Sequence, residues 1–266
     1  MINETITSAT NPKLKYIIGL QQRKNRDKEH VFILEGLRNA EMAVEATAKI
    51  KMCFCTKEIL AQPRGKQLIE KLTCPIYEIS DHLYGKISDT KSPQGLMLII
   101  EQNNKNLNEI LTTKSKALYL ILDRLQDPGN LGTIIRTADA MGISGIICLK
   151  GTADIFSPKV VRATMGSLFN LPIAIKIDEQ ELLTFAQDNT LNLYATSLDQ
   201  NAQPLWHTQF TTKSAIILGN EANGISPKLL NNSQNKIYIP MSGNAESLNV
   251  ATAAAMIMYE YTRQTI

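Results

Sequence analysis

IYIPMSGNAESLNVATAAAMIMYE, residues 237–260, joins three things that rarely meet in so short a span. Residues 237–239 have the pattern of a buried strand, and Pro240 closes it. A polar turn follows through Ser242, Gly243, Asn244 and Glu246. An Ala- and Met-rich helix then starts near Ser247. A turn pinned between a buried strand and a buried helix must find partners for its polar groups. In open α/β sheets, ligands bind at such turns, just outside the C-terminal ends of strands. On these residues alone, an ordinary strand–turn–helix with Ser247 as N-cap serves equally well.

Upstream, strands and helices alternate. Residues 117–123 (ALYLILD), 146–149, 171–177, 191–195 and 214–218 (SAIIL) read as strands. Helical patterns over 130–141, 157–168 and 179–187 separate the first four. Polar residues gather after these strands, at 124–132, 196–199 and 219–224. The first hundred residues repeat the alternation on a smaller scale. Strands are expected at 30–35, 50–55, 75–79 and 95–100, and helices at 37–48, 57–61, 65–72 and 80–87. Residues 101–116 (EQNNKNLNEILTTKSK) are polar and rich in Asn, which marks a linker with at most one helical turn. The expected layout is an α/β domain over 1–100, a linker over 101–116 and a second α/β domain over 117–266.

Composition narrows the function. The chain is 44% hydrophobic and 20% charged, as in ordinary soluble domains. It lacks an apolar run of about 18 residues, so a membrane span is not expected. The first sixteen residues hold no apolar signal core, which makes the cytoplasm the expected location. Cys53 and Cys55 alternate onto one face of a strand; with Cys74 and Cys148 they read as buried, reduced thiols. His30, His82 and His207 do not complete a zinc pattern with them, and no metal is expected. Charge is uneven. Residues 1–105 hold 16 Lys and Arg against 12 Asp and Glu, whereas residues 106–266 hold 12 against 13. The run Arg23, Lys24, Arg26, Lys28, with Lys13 and Lys15 before it, suits contact with an RNA backbone. A solvated, charged helix end explains it too.

The loop after 117–123 and its helix carry more chemistry. Leu131, Ile134, Ile135, Ala138 and Met141 form one apolar face. Arg136 lies about 140° around the helix from Leu131. Asn130 is placed to cap the helix. Neither G-x-G-x-x-G nor a P-loop occurs, so dinucleotide and P-loop sites are not supported. Glu221 follows an apolar strand without a second carboxylate nearby, and structural support of the loop is its expected role.

Three segments together resemble one family. DPGNLGTIIRTA (127–138), LGNEANGI (218–225), and IPM (239–241) with ESLNVA (246–251) are similar, in order and spacing, to the three motifs of the SpoU (TrmH-type) RNA 2′-O-methyltransferases of the SPOUT superfamily. FILEG (32–36) resembles that family's substrate-binding domain. The resemblance implies a parallel-sheet catalytic domain with a C-terminal deep trefoil knot, a fold that topology rules alone do not anticipate. It implies a small N-terminal α/β domain resembling kink-turn-binding ribosomal proteins. The implied enzyme takes a methyl group from S-adenosylmethionine and places it on a ribose 2′-hydroxyl, in rRNA (23S type, guanosine or uridine). It is expected to be a homodimer packed through the catalytic domain.

By family position, Gly219, Ile239 and Leu248 contact the cofactor, with Thr196, Ser197, Leu198 and Met241 in the same pocket. Asn130, Arg136, Glu221, Ser247 and Asn249 match catalytic or site-forming positions. A guanidinium stays protonated, which disfavours Arg136 as a free base. Stabilising the nascent alkoxide or holding the adjacent phosphate suits it better. Asn130 is expected to orient the ribose or Arg136, and Glu221 to fix the loop and Arg136. Three alternatives stay open on sequence: a tRNA 2′-O-methyltransferase, a base methyltransferase, and a non-catalytic RNA-binding homologue.

Overall fold

The computed structural model describes residues 2–265, and two sheets organise them. By chain contacts they belong to two compact units. One runs to Asn103 and also includes Asp154–Asn170; the other comprises Asn104–Ala153 and the chain from Leu171 onward.

The first unit contains β1 (Glu4–Ile6), α1 (Pro12–Leu20), α2 (Arg23–Glu29), β2 (Val31–Glu35), α3 (Leu37–Glu45), β3 (Ile50–Cys55), α4 (Lys57–Ala61), α5 (Pro63–Glu70), β4 (Ile76–Ile79), α6 (Asp81–Ile87), β5 (Leu96–Glu101) and, from its later segment, α8 (Pro158–Thr164). Its mixed sheet has the order β1-β4-β3-β5-β2, with β5 antiparallel to both neighbours. Asn11 caps α1 by accepting from Lys13 N–H at 2.9 Å, with Pro12 at the first helical position. Leu14, Ile17 and Leu20 face the core at helical spacing. All four cysteines are unpaired, and Cys53, Cys55 and Cys148 are buried.

The second unit contains β6 (Ala117–Leu122), α7 (Pro128–Ala140), β7 (Gly145–Leu149), β8 (Ile173–Ile177), α9 (Glu179–Asp188), β9 (Asn192–Thr196), β10 (Gln203–Pro204), β11 (Lys213–Leu218), α10 (Pro227–Asn232), β12 (Asn235–Tyr238) and α11 (Val250–Thr265). Its sheet is parallel in every pairing, in the order β10-β12-β9-β11-β6-β7-β8. Every residue of β6 and β7 is buried, as parallel strands covered on both faces require. Parallel pairing puts the strand C-termini on one edge, and the polar loops emerge there together.

The structure corrects four local expectations. Residues 154–170 were expected in the second domain but pack within the first unit. Phe156 and Phe169 stack near Phe32, with ring centroids 5.0 and 6.2 Å away. The expected helix over 157–168 stops at Thr164, because Met165 and Gly166 take left-handed φ of 51° and 94°. A side chain at Gly166 would collide with Met42. The expected linker is tied down instead: Lys105 bridges Ala174, and Leu107 and Ile110 are buried. The last helix starts at Val250, and its cap is Asn249 rather than Ser247. Asn249 Oδ1 accepts from the N–H groups of Ala251 and Thr252 at 2.9 and 3.3 Å.

Candidate active site

Strands β6 and β11 are in-register neighbours, with Leu122 opposite Leu218. The loops that follow them therefore start side by side. Asp127, not Asn130, caps α7: its Oδ1 accepts from Asn130 N–H at 2.8 Å, with Pro128 at the first helical position. This correction matters chemically, because it frees the Asn130 side chain for other partners.

Those partners form a bridge. Asn130 Nδ2 donates to Glu221 Oε1 at 3.2 Å, and Asn249 Nδ2 donates to Asn130 Oδ1 at 2.8 Å. The Glu221 carboxylate also accepts from the backbone N–H groups of Gln126 and Asp127, at 3.2 and 3.4 Å. Burial pulls the Glu221 carboxyl upward. Its own backbone N–H, the Asn130 amide and the Gln126 and Asp127 N–H groups outweigh that and hold it below its ordinary value. Glu221 thus favours its charged form and is hydrogen-bonded to the loop after β6. It does not hold Arg136. That guanidinium stands exposed on α7, with no hydrogen bond or ion pair among the described residues. It lies six positions on from Asn130, roughly 9 Å along the helix axis.

Beside the bridge lies a cavity of about 460 Å³. Thr196, Ser197, Leu198, Ile239, Met241 and Leu248 line it, joined by Glu221, Glu246 and Ser247. Gly219 does not line it. A Cβ at Gly219 would collide with the backbone of Gly224 and Ile225, so the absence of a side chain lets the loop close on itself. Thr196 Oγ1 donates to Ile217 O at 2.9 Å, which ties β9 to β11 at the cavity edge. The volume lies in the range of small-molecule sites, about 300–1,000 Å³. Its lining suits S-adenosylmethionine in kind: aliphatic side chains for a purine face, and the Glu221 and Glu246 carboxylates beside a cationic centre.

Sequence reasoning missed several lining residues. Leu205, Tyr238, Ala253 and Ile257 belong to the cavity wall. Ile257 carried a signal, since it falls on the buried stripe of the last helix. Leu205 follows a two-residue strand and carried none.

The basic residues divide. Lys15, Lys24 and Lys28 are exposed, and Arg23 lies 3.8 Å from Asp27. Lys13 pairs with Glu4 at 2.8 Å and sits 4.8 Å over the Tyr77 ring. Arg26, expected at an RNA backbone, is corrected: it is 3% exposed. Its guanidinium donates to Leu20 O and Gln21 O, both at 2.7 Å, and to Asp154 Oδ2 at 2.5 Å. Helix periodicity explains the split, because one position in each turn of α2 must face the core.

A parallel α/β unit with a small-molecule cavity and a charged carboxylate–amide bridge at its strand C-termini defines a ligand-binding protein of enzyme type. The SpoU rRNA Methylase family model matches residues 117–259, and that of the MRM3-like substrate binding domain matches residues 11–98. The chain is 34% identical to the 23S rRNA (guanosine(2553)-2'-O)-methyltransferase RlmP of Bacillus subtilis (strain 168), covering 96% of this chain and 97% of the relative. It is 27% identical to the 23S rRNA (uridine(2479)-2'-O)-methyltransferase of Streptomyces viridochromogenes, covering 93% and 88%. The crystal structure of an AdoMet bound rRNA methyltransferase from Sinorhizobium meliloti matches with a TM-score of 0.90 at 33% identity, over 98% of each chain. The protein belongs to the SpoU rRNA methylase family.

Proposed function

We propose that this protein is an S-adenosylmethionine-dependent methyltransferase acting on a ribose 2′-hydroxyl of 23S-type rRNA. The observation that carries the reading is the cavity at the strand C-termini, walled by Glu221 and continuous with the bridge from Glu221 through Asn130 to Asn249. When bound, the cofactor supplies a methyl group on a positively charged sulfur. This chain's residues do the rest. Thr196, Ser197, Leu198, Ile239, Met241 and Leu248 hold the cofactor, with backbone groups of the loop at Gly219 beside it. Asn130 orients the ribose; Asn249 holds Asn130 in place, and Glu221 fixes the loop beneath. Ser247 shapes the cofactor turn. Arg136 stabilises the nascent alkoxide or holds the adjacent phosphate, and its exposure without a hydrogen bond or ion pair among the described residues supports that role. In-line transfer needs the attacking oxygen held in alignment, which a rigid amide bridge favours.

The finer architecture belongs to the same proposal. The C-terminal part forms a deep trefoil knot; β12 set between β9 and β10, with α11 packed on α7, supports it. The N-terminal unit resembles kink-turn-binding ribosomal proteins and takes RNA through Lys13, Lys15, Arg23, Lys24 and Lys28. The protein is a cytoplasmic homodimer. Thr252, Met256, Tyr259 and Arg263 form one exposed stripe of α11, with Met256 43% and Tyr259 62% exposed, and a second copy would cover these apolar groups.

The test is methyl transfer from labelled cofactor to 23S rRNA lacking the modification, followed by nuclease digestion and mass spectrometry. A 2′-O-methylated nucleoside is expected. A base-methylated nucleoside, or label entering tRNA alone, would overturn the reading.

A further inference from the structure

We infer that Asn220 is a positioning residue that splices the loop after β11 to the loop after β6 and so sets where Glu221 and Asn130 stand. The inference rests on the methyltransferase reading above. Asp123 N–H donates to Leu218 O at 2.9 Å, which extends the β6–β11 ladder by one step. Beyond that step the strand ladder ends and side chains join the two loops. The β6 chain turns at Arg124, which adopts φ of 58°. The β11 chain closes on itself, with Asn220 and Gly224 exchanging backbone hydrogen bonds of 3.1 and 2.9 Å.

The Asn220 amide works at both ends. Its Oδ1 accepts from the backbone N–H groups of Ala222 and Asn223 at 3.0 and 2.9 Å, which closes the turn. Its Nδ2 donates across the gap to Arg124 O at 2.8 Å. N–H donors on one end and a carbonyl on the other leave one orientation for the amide. The Arg124 carbonyl is itself a fixed post. The Arg124 guanidinium donates to Asp123 at 2.7 and 3.0 Å, and Asp123 is fully buried. Asp123 Oδ2 also accepts from Ser226 N–H at 2.8 Å.

Glu221 is the next residue, and it binds Gln126 N–H, Asp127 N–H and Asn130. Movement of Asn220 therefore moves the carboxylate against the loop it fixes. Asn220 and Glu221 also stand in the walls of two hollows: the cofactor cavity, and a second of about 580 Å³ that adds Gln126, Asp127 and Pro128. The splice thus sets the partition between the cofactor and the face beside Asn130.

The Asn220→Asp variant separates the two ends. It keeps the oxygen that closes the turn and loses the donor to Arg124 O. Its ionised carboxylate faces a carbonyl; once protonated, its O–H can donate again. At pH 8 we expect the variant to lose roughly 10- to 100-fold in kcat for rRNA methylation. S-adenosylmethionine affinity, by calorimetry, should change less than about threefold, since one hydrogen bond at the cavity edge is at stake. Activity relative to wild type should recover as pH falls and the carboxyl protonates. Amide hydrogen exchange at Gln126 and Asp127, compared with wild type at each pH, should quicken at pH 8 and slow again on acidification. Wild-type activity and exchange in the variant at pH 8 would overturn the proposal. So would losses that acidification does not reverse. If the wild-type enzyme does not methylate rRNA, the functional reading falls, and the exchange measurement still decides the splice.

Discussion

Glu221 carries a task that a neutral amide cannot repeat. Its Oε2 accepts from Gln126 N–H, and its Oε1 from Asp127 N–H and Asn130 Nδ2. Glu221→Gln would turn an NH₂ group toward at least one of these donors. Because its pKa is lowered in the folded state, the carboxylate contributes stability above its ordinary value of 4.5, and that contribution is lost as pH falls through the lowered folded value. Wild-type melting temperature should therefore drop as pH is taken from 6 to 3, with a shallower drop for Glu221→Gln. Equal slopes in a thermal melt series would remove Glu221 from the account. Arg136 poses the opposite case, an exposed charge without a partner among the described residues. Arg136→Lys keeps the charge and loses the planar fork. At least about tenfold lower methyl transfer is expected, in line with loss of one well-placed donor. Full activity in a single-turnover assay would leave the bidentate role without support.

At the scale of elements, Asn249 serves two masters. Its Oδ1 caps α11 and its Nδ2 reaches Asn130. Asn249→Ala should cost about 1 kcal/mol from the lost cap, read in a urea melt, and lower activity as well. Asn249→Asp should keep the cap, with its negative charge at a helix N-terminus, yet lose the donor to Asn130. Stability near wild type with activity reduced about tenfold is expected; unchanged activity would mean that the bridge does no catalytic positioning. The caps also mark what was legible in the sequence. Strands such as ALYLIL could be read because parallel strands buried on both faces are continuous apolar runs. Helix α2 is polar on most of its surface and gave no periodic signal. Strand β1 has three residues and β10 two, too few for alternation to register. The motif resemblance marks Asn130 and Asn249 as site candidates, but the caps expected from sequence fall at the wrong residues: at Asn130, where Pro128-Gly129 reads as loop, and at Ser247, two residues early. Which polar residue caps and which one bridges depends on loop packing, which a linear pattern does not contain.

At the scale of the molecule, the first unit is assembled from pieces far apart in the chain, and a buried ion pair lies where they meet. Arg26 is 3% exposed and Asp154 11%, and they are 128 positions apart in sequence. Asp154 also accepts from Phe156 N–H at 2.9 Å, so it orders the start of its own segment. Removing one partner of such a pair leaves an uncompensated buried charge, at about 3–5 kcal/mol, whereas replacing both by apolar groups is often neutral. Asp154→Ala should therefore destabilise the protein by about 3 kcal/mol in a urea melt. The double replacement Arg26→Met with Asp154→Leu should recover most of that loss. The same double variant bears on RNA binding. Affinity for RNA falls with salt in proportion to the phosphates neutralised. Since Arg26 is spent on Asp154 and two carbonyls, the double variant should keep the wild-type salt slope. Lys24→Ala and Lys28→Ala, which remove exposed cations from the same helix, should each shallow the slope by about one. A slope that falls in the double variant, measured by fluorescence titration across salt, would return Arg26 to the RNA face.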